Sequence, residues 1–449
     1  MPSISVSPDK VFPILKQSVL VDGFHVVVDL QRSRGNVMVD ALTGKSYLDC
    51  YSYFATLPLG HNHPALEDPA FRASLLAAAL ANPANSDVYA PEYAAFVQTF
   101  RRVAMPAPFV HVFFVAGGTL AVENAMKAAF DWKAQRNRAG GVAGGADKVL
   151  HLREAFHGRS GYCLSVTNTD EVKTRDFPRF AWPRVENPRL RFPRDPAAAP
   201  AALAETLAAE ERSLAAARAA FDGDPHGIAA ILVEPVQGEG GDNHFRPEYL
   251  QALRRLADER DALLMFDEVQ TGVGLTGSMW AWQQLGVVPD LMAFGKKTQV
   301  CGFMSTRRID EVPDNVFAVS SRINSTWGGS LADMVRCARY LQVIEEQGLC
   351  AQAARTGAAF LAGLRALQAR TGTIDNARGR GLMLAFDLPD TAARNALRAR
   401  LWEAGLATLA CGTRSIRFRP ALVFTEADAE RALSILGAAL AVAPAAARA

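Results

Sequence analysis

The chain has 449 residues, of which 49% are hydrophobic and 21% are charged, and its 48 basic and 46 acidic side chains give a net charge of +2. This length allows two or three domains with large cores, and the ordinary apolar fraction argues against a disordered chain. The near-neutral charge offers no basic surface for nucleic acid and no acidic tail, so we expect no nucleic-acid partner.

Short apolar runs alternate with helical patterns through the middle of the chain. A helix is predicted at Leu120–Arg136, and the segment Pro196–Asp222 predicts a surface helix without chemistry. The predicted strands of this part are five β-rich runs: His111–Val115, Lys148–Leu152, Ile228–Val233, Leu263–Phe266 and Leu291–Phe294. Strands separated by helix-length connections predict an α/β fold with a large, doubly wound, mostly parallel sheet.

The pattern changes from about Leu331 onward. A long helix comes first, followed by strands at residues 382–386 and 415–419 with a helix between them, which predicts a smaller α+β domain. The first 60 residues carry predicted strands near Val26–Asp29 and Val37–Asp40, and we expect them to pack with that domain. The predicted division is an N-terminal segment 1–60, a large domain 61–330 and a small domain 331–449.

The N-terminus, the longest apolar stretch and the cysteines indicate a cytoplasmic protein that contacts no membrane. The N-terminus lacks the basic and apolar segments of a signal peptide. The uncharged stretch Ala432–Ala447 is too short for a membrane span, and its leucine spacing predicts a buried helix. The six cysteines form no C-x-x-C pair, so we expect neither a disulfide framework nor a metal site.

Three segments at predicted strand ends carry residues suited to chemistry. Ala116-Gly-Gly-Thr119 opens a helix, whose free backbone N–H groups suit a phosphate, although an ordinary αβ turn looks the same. Asp267 follows a strand at the edge where α/β proteins bind ligands, and its alternative role is to cap the next turn. Lys296 also follows a strand, where a lone lysine is usually solvated. No nucleotide-binding glycine motif occurs in strand–turn–helix context.

Taken together, these segments match the needs of a pyridoxal cofactor. Such a cofactor requires a lysine for a Schiff base, an acid beside the pyridine nitrogen and a cradle for its phosphate. The chain contains only nine lysines, so few candidates exist for the first of these roles. The order of phosphate turn, Asp267 and Lys296 is typical of pyridoxal enzymes with the aspartate aminotransferase fold.

The chain resembles the class III (ω-amino) aminotransferases over nearly its full length. The segments that carry the resemblance are GGTLAVENAMK, AFHGRSG, EPVQGEGG, FDEVQTG, FGKK, NSTWGG and SIRFRPAL. Within the family, FGKKTQVCG, EPVQGEGGD and HFRPEY are most similar to the lysine 6-aminotransferase branch. The resemblance implies a fold type I enzyme, with a small domain formed by both termini, and pyridoxal 5′-phosphate as its cofactor.

The resemblance also implies which residues hold the cofactor. Lys296 would form the Schiff base and move protons, with Lys297 structural, and Asp267 would pair with the pyridinium nitrogen. The other implied contacts are Gly118 and Thr119 at the phosphate, Phe156 and Val269 on the two ring faces, Gln270 at the phenolic oxygen, and Thr326 at the phosphate of the neighbouring subunit. A homodimer with shared active sites follows from the last of these contacts.

For the substrates, the resemblance implies that Arg159 clamps a distal carboxylate and that Glu239 and Arg417 form a switch. Glu239 would neutralise Arg417 while an ω-amine reacts, and it would move aside when the carboxylate of 2-oxoglutarate arrives. Gln270 would also border the substrate. Arg419 is an alternative to Arg417, because relatives usually have Pro-Pro-Leu after the switch arginine and this chain has Arg419-Pro-Ala. His61, His63 and His157 are interpreted as structural.

The implied activity is transfer of the ε-amino group of L-lysine to 2-oxoglutarate, giving L-glutamate and 2-aminoadipate 6-semialdehyde. This semialdehyde would cyclise to piperideine-6-carboxylate. The alternatives are another ω-amino donor (ornithine, 4-aminobutyrate or a diamine), a pyridoxal mutase or racemase, and a non-catalytic relative. The last of these should have lost Lys296 or Asp267, and the chain retains both.

Overall fold

The computed structural model describes residues 6–441 of the chain. Its helices in this part are α1 Pro8–Leu15, α2 Ser52–Ala55, α3 Pro69–Ala81, α4 Pro91–Val103, α5 Gly118–Ala139, α6 Gly161–Val166, α7 Ala199–Gly223, α8 Pro247–Glu259, α9 Leu331–Glu346, α10 Leu349–Thr371, α11 Thr391–Glu403 and α12 Glu426–Ala441. Its strands are β1 Val37–Val39, β2 Ser46–Asp49, β3 Phe109–Val115, β4 Lys148–Leu152, β5 Arg184–Val185, β6 Ile228–Val233, β7 Val236–Gln237, β8 Asn243–His244, β9 Leu263–Asp267, β10 Leu291–Phe294, β11 Cys301–Thr306, β12 Asp375–Arg380, β13 Met383–Asp387, β14 Leu406–Ala407, β15 Leu409–Cys411 and β16 Ser415–Phe418.

A seven-stranded sheet forms the centre of the molecule, in the order β3-β11-β10-β9-β6-β4-β5. The β10–β9, β9–β6, β6–β4 and β4–β5 pairs are parallel, whereas β11 runs antiparallel to both of its neighbours. Every residue of β6, β9 and β10 is buried. Strands covered on both faces need continuous apolar runs, which explains the sequences IAAILV and LLMF. The α/β fold class predicted from the sequence is confirmed.

Helix α5 packs its alanine-rich face against this sheet. Ala121, Ala125, Ala128 and Ala129 are fully buried, and their small side chains let the helix backbone approach the strands closely. The helix begins directly after β3, at Gly118, and it ends where Gly140 and Gly141 interrupt the pattern. Its first turn therefore lies at the edge of the sheet where the parallel strands end.

Two smaller sheets bring the ends of the chain together. One has the order β1-β2-β14, in which Leu406 pairs with Leu48, and the other has the order β12-β13-β16-β15. Helix α10 packs on the four-stranded sheet, where Phe360 contacts Phe418 of β16, and α12 packs on α10 and α11. Segments from both termini thus share the smaller α+β part, as the fold-class prediction stated.

The strand predicted at Val26–Asp29 is wrong. Only an isolated bridge between Val28 and Asp40 forms there. The Asp40 carboxylate accepts the backbone N–H of Val27 at 3.0 Å, so a side chain takes the place of a ladder hydrogen bond. Strand β11 was not predicted, because its sequence CGFMST has no clear alternation.

Helix α12 contains the leucines at 433, 436 and 440 that predicted a terminal helix, while residues 442–447 of that stretch lie outside the described part. Among residues 6–441, no helix combines the length and the apolar character that crossing a membrane requires.

Candidate active site

A cavity of about 530 Å³ opens at the carboxyl edge of the seven-stranded sheet. Because β3, β4, β6, β9 and β10 all end at this edge, the residues that follow them converge there. The lining residues are Phe54, Gly118, Thr119, Phe156, His157, Gly158, Arg159, Glu234, Glu239, Asp267, Val269, Gln270, Lys296 and Arg417. Every site residue predicted from the sequence is therefore in this lining except Thr326.

Lys296 lies two residues beyond the end of β10, in a left-handed conformation with φ of 54°. Burial, and to a smaller extent the nearby Arg417 guanidinium, lower the pKa of its ammonium to about 8. A fraction of the amine is therefore neutral near pH 7, as a nucleophile or base requires. Lys297 points elsewhere, since its buried Nζ donates to the backbone oxygen of Gln270 at 3.2 Å.

Asp267 is the last residue of β9, and its buried carboxylate faces the cavity with a histidine behind it. Oδ2 lies 2.8 Å from Nδ1 of His157, and Oδ1 accepts the backbone N–H of Val269 at 3.0 Å. The other ring nitrogen of His157 is buried without a partner among the described residues. These contacts fix the direction of the carboxylate, so it can receive a hydrogen bond from a protonated ring nitrogen in the cavity.

The first turn of α5 offers a cradle for an anion. Its leading N–H groups have no partner within the helix, and Thr119 adds a hydroxyl that lies 2.8 Å from Oγ of Ser160. A Cβ placed on Gly118 would lie 3.0 Å from Cγ1 of Val269, and one placed on Gly158 would lie 2.2 Å from Oγ1 of Thr119. Glycine at both positions therefore preserves the space and the shape of this cradle.

Glu239 and Arg417, which both line the cavity, form an ion pair. Nη2 of Arg417 lies 2.6 Å from Oε2 of Glu239, and the arginine side chain is 2% exposed. Burial would raise the pKa of Glu239, but the charge of Arg417 and a hydrogen bond from Lys173 lower it to about 2. The carboxylate is therefore ionised at any physiological pH. Nε of Arg417 is buried without a partner among the described residues.

Arg419 has a different environment from Arg417. It forms a fully buried ion pair with Asp242, and it donates to Oε1 of Gln270 from Nε at 3.1 Å and from Nη2 at 3.0 Å. Arg417 also donates to this oxygen, at 3.3 Å. With its oxygen held by two arginines, Gln270 keeps its amide N–H groups for a partner in the cavity. The pairing favours Arg417 as the arginine that faces Glu239.

The loop that carries Glu239 is held at both ends. It connects β7 and β8, and the buried Arg378 donates to the backbone oxygens of Gly241 and Asp242. Glu234, the residue after β6, accepts hydrogen bonds from the backbone N–H groups of Phe156 at 3.0 Å and Gly238 at 2.9 Å. Burial and the Asp267 charge raise the pKa of Glu234 to about 7. With the backbone fixed, any switching motion must come from the Glu239 side chain.

Arg159 lies at the mouth of the cavity and is exposed. Its guanidinium carbon lies 5.8 Å from the centre of the Phe156 ring, and no ion pair of this arginine is found within residues 6–441. It is therefore available to a carboxylate on the substrate. Thr326 is also exposed, but it lies outside the cavity of its own chain, where its backbone oxygen accepts from Oγ of Ser86 at 3.1 Å.

Sequence reasoning missed several residues that the structure brings to the site. Phe54 lines the cavity from the left-handed turn α2, in which all four residues have positive φ between 40° and 64°. Lys173 binds Glu239, and Asp242 binds Arg419. The double glycine beside Asp242 was a signal for a tight loop, but neither Phe54 nor Lys173 stands in a recognisable motif.

Nearly the whole chain is similar to proteins of a known family. The pattern of the family "Aminotransferase class-III" matches residues 20–440. The L-lysine-epsilon aminotransferase of Mycobacterium tuberculosis is 53% identical over 439 residues, covering 97% of this chain and 96% of that protein. The protein of the same name from Streptomyces clavuligerus is 53% identical over 429 residues, covering 95% and 93%.

Among solved structures, "Lysine aminotransferase from M. tuberculosis in the internal aldimine form" superposes with a TM-score of 0.93 at 52% identity, covering 97% of this chain and 99% of that chain. The family match over residues 20–440 and the 53% identity to curated relatives together decide the class of this protein. The chain belongs to the class-III aminotransferases, fold type I enzymes that depend on pyridoxal 5′-phosphate. The cavity fits that cofactor, because it combines a lysine of lowered pKa, an oriented carboxylate and a helix N-terminus that glycines keep open.

Proposed function

We propose that this protein transfers the ε-amino group of L-lysine to 2-oxoglutarate, with pyridoxal 5′-phosphate as cofactor. The products are L-glutamate and 2-aminoadipate 6-semialdehyde, which cyclises to piperideine-6-carboxylate because its own α-amine lies within six-membered reach. The observation that carries the proposal is the Glu239–Arg417 pair of 2.6 Å, in a cavity that an exposed Arg159 also lines. Two relatives at 53% identity are named L-lysine-epsilon aminotransferase, which supports L-lysine as the amino donor.

The two arginines suit two substrates of different charge. Arg159 would hold the α-carboxylate of lysine at the mouth of the cavity, which leaves the ε-amine beside Lys296. Since that end of lysine carries no carboxylate, an unpaired Arg417 there would be a buried charge without a partner, and Glu239 supplies one. For 2-oxoglutarate, Arg159 takes the distal carboxylate, and Arg417 takes the one beside the keto group after Glu239 moves aside.

In this proposal, the residues of the chain divide the chemistry among them. When bound, pyridoxal phosphate supplies an electron sink for the charge that develops on the carbon bearing nitrogen. Lys296, with its lowered pKa, removes a proton from that carbon and returns a proton to complete the transfer. Asp267 keeps a proton on the ring nitrogen through a charge-assisted hydrogen bond, and His157 holds Asp267 in place.

The remaining residues would position the cofactor. Phe156 and Val269 would enclose its ring, and the amide of Gln270 would donate to the phenolic oxygen. Gly118 and Thr119 would bind the phosphate through the first turn of α5, where the helix dipole favours an anion.

We also propose a homodimer in which Thr326 reaches the phosphate of the partner subunit. The threonine is exposed in its own chain, and the neighbouring Trp327 is 52% exposed. Val88 and Tyr89 are exposed close to the same segment, which contacts Ser86. Several large apolar side chains on one surface are typical of a face that another subunit covers.

A different ω-amino donor is the principal alternative, because the geometry alone would also accept ornithine, whose side chain is one carbon shorter. A mutase or racemase is disfavoured by the Glu239–Arg417 pair, since such an enzyme has no second dicarboxylate to accommodate. The donor and the nitrogen transferred are therefore the points to test.

The test supplies L-lysine with heavy nitrogen at either the ε or the α position, together with 2-oxoglutarate. Mass spectrometry of the glutamate formed should find the label only when it starts at ε. Ornithine and 4-aminobutyrate serve as competing donors at the same concentration. Label arriving from α, or faster turnover with either competitor than with lysine, would overturn the proposal.

A further inference from the structure

Lys173 is the second cation that contacts Glu239. Its Nζ lies 2.9 Å from Oε1 of Glu239, whereas Arg417 contacts the other carboxylate oxygen, Oε2. Lys173 also donates to Oγ1 of Thr169 at 3.1 Å and lies 5.3 Å from the centre of the Phe156 ring. Its side chain is 12% exposed, so it is held in a defined position rather than free in solvent.

Because Lys173 and Arg417 contact different oxygens of Glu239, one contact can be lost while the other is kept. When a substrate carboxylate takes Arg417, Glu239 loses the contact at Oε2, but nothing in that exchange disturbs the contact at Oε1. A carboxylate left without a partner in a largely enclosed cavity is strongly unfavourable. A lysine on the second oxygen removes most of this penalty, because the carboxylate remains paired.

We propose that Lys173 is a positioning residue that retains Glu239 after a dicarboxylate has displaced it from Arg417. In the lysine half-reaction, Glu239 bridges Lys173 and Arg417. In the 2-oxoglutarate half-reaction, it stays on Lys173 alone. Lys173 thereby favours the acceptor without contacting it, and this role depends on the proposed function because it presupposes a dicarboxylate at Arg417.

A direct role in substrate binding is the competing explanation. Lys173 and Arg159 both lie beside the Phe156 ring, and in this explanation Lys173 shares the distal carboxylate with Arg159. Its 2.9 Å contact with Glu239 argues against this, because that contact already satisfies its charge. The two roles differ in one respect that can be measured: only the retaining role requires Glu239.

The experiment is a double-mutant cycle on the cofactor-loaded enzyme, with the binding of glutarate measured by calorimetry. Glutarate has the two carboxylates of 2-oxoglutarate but no keto group, so it binds without reacting. The variants are Lys173→Met, Glu239→Gln and their combination, with Lys173→Arg to restore the cation. Lys148→Met is the matched control, since Lys148 forms an ion pair with Asp224 outside the cavity.

Lys173→Met should raise the Kd of glutarate about tenfold, the scale of one charge-assisted hydrogen bond. In the Glu239→Gln background the same substitution should change the Kd by less than about twofold, because no carboxylate remains to be retained. Lys173→Arg should bind glutarate nearly as the wild type does, and Lys148→Met should be unchanged. Lys173→Gln replaces Lys173→Met should the latter fail to fold.

A tenfold loss that persists in the Glu239→Gln background would overturn the inference, because Lys173 would then contact the dicarboxylate itself. An unchanged Kd in both Lys173→Met and Lys173→Gln would overturn it as well. Failure of the proposed function has a different signature: the wild type itself would bind no glutarate, or labelled nitrogen would not pass from the ε position of lysine. In that case the inference falls together with the function.

Discussion

At the scale of single residues, Lys296 shows how its surroundings prepare an amine for chemistry. Burial and Arg417 lower its pKa to about 8, so below that pH the group is mostly a protonated, non-nucleophilic ammonium. We expect the rate at which cofactor-free protein captures pyridoxal phosphate to rise with pH up to about 8 and then level off. An exposed lysine would continue to gain up to about pH 10.4. Stopped-flow absorbance at a series of pH values measures this profile.

Borohydride reduction followed by peptide mass mapping supplies the control for that profile. The pyridoxyl group should be found on Lys296, and Lys296→Ala should abolish the capture. A group found on Lys297, or a rate that rises steadily to pH 10, would contradict the assignment of Lys296.

Asp267 provides a second prediction at this scale. Asp267→Asn removes the negative charge while preserving the shape, so the cofactor should still bind through Lys296 and α5. An opposite charge shifts a nearby pKa by about 1 to 3 units, so the protonated fraction of the ring nitrogen should fall roughly ten- to a thousandfold. Single-turnover rates for lysine should fall accordingly, as followed by cofactor absorbance. Rates equal to those of the wild type would show that Asp267 has no such role.

Sequence reasoning reached the residues that stand in recognisable segments at strand ends. Asp267 and Lys296 were identified because the carboxyl edge of a parallel sheet is where ligands bind. Phe54 and Lys173 were not, since each reaches the cavity through a loop whose path depends on the folded structure. The resemblance paired Glu239 with Arg417 but left Arg419 as an alternative. The structure distinguishes the two arginines, because Arg417 contacts Glu239 and Arg419 contacts Asp242.

At the scale of elements, the strands of the large sheet were the most predictable features. Three of them, β4, β6 and β10, have the predicted bounds, because a strand buried on both faces leaves an uninterrupted apolar run. Val26–Asp29 was predicted wrongly because the Asp40 carboxylate, and not a strand backbone, accepts the N–H of Val27, and an apolar pattern does not show this.

The junction between β3 and α5 yields a prediction of its own. Gly118→Ala places a methyl group 3.0 Å from Cγ1 of Val269, which must then move toward the space of the cofactor ring. Such overpacking costs about 1 to 3 kcal/mol, so pyridoxal phosphate should bind about five- to 150-fold more weakly. Fluorescence titration of the cofactor-free protein measures this change.

Gly140→Ala, at the other end of the same helix, is the matched control. A Cβ there would meet its nearest atom at 3.5 Å, an ordinary contact, so cofactor affinity should be unchanged. Equal affinities for Gly118→Ala and the wild type would mean that Val269 does not border the cofactor.

At the scale of the whole molecule, the proposed dimer predicts that two defective variants restore each other. If Thr326 serves the partner's site, a heterodimer of Lys296→Ala and Thr326→Ala chains contains one site with both defects and one intact site. Mixing the variants under conditions of subunit exchange should therefore give activity above that of either parent, approaching half of the wild-type value for each heterodimer. Steady-state glutamate formation measures it.

Activity equal to the average of the two parents would place Thr326 in the site of its own chain. Sedimentation of the mixture provides the control, since it shows whether subunits have exchanged. The homodimer is a prediction that this mixing experiment tests. The domain boundaries at residues 60 and 330 and the cytoplasmic location also stay predictions.

The cavity is lined by Phe54, which lies near one end of the chain, and by Arg417, which lies near the other. A ribosome adds about 5 to 20 residues per second, so roughly 20 to 70 s separate the synthesis of these two side chains. The large sheet, Asp267 and Lys296 all emerge before residue 307, whereas the arginine that pairs with Glu239 emerges more than a hundred residues later. A growing chain therefore contains the lysine and the carboxylate proposed to hold its cofactor before it contains the arginine proposed to distinguish one substrate from the other.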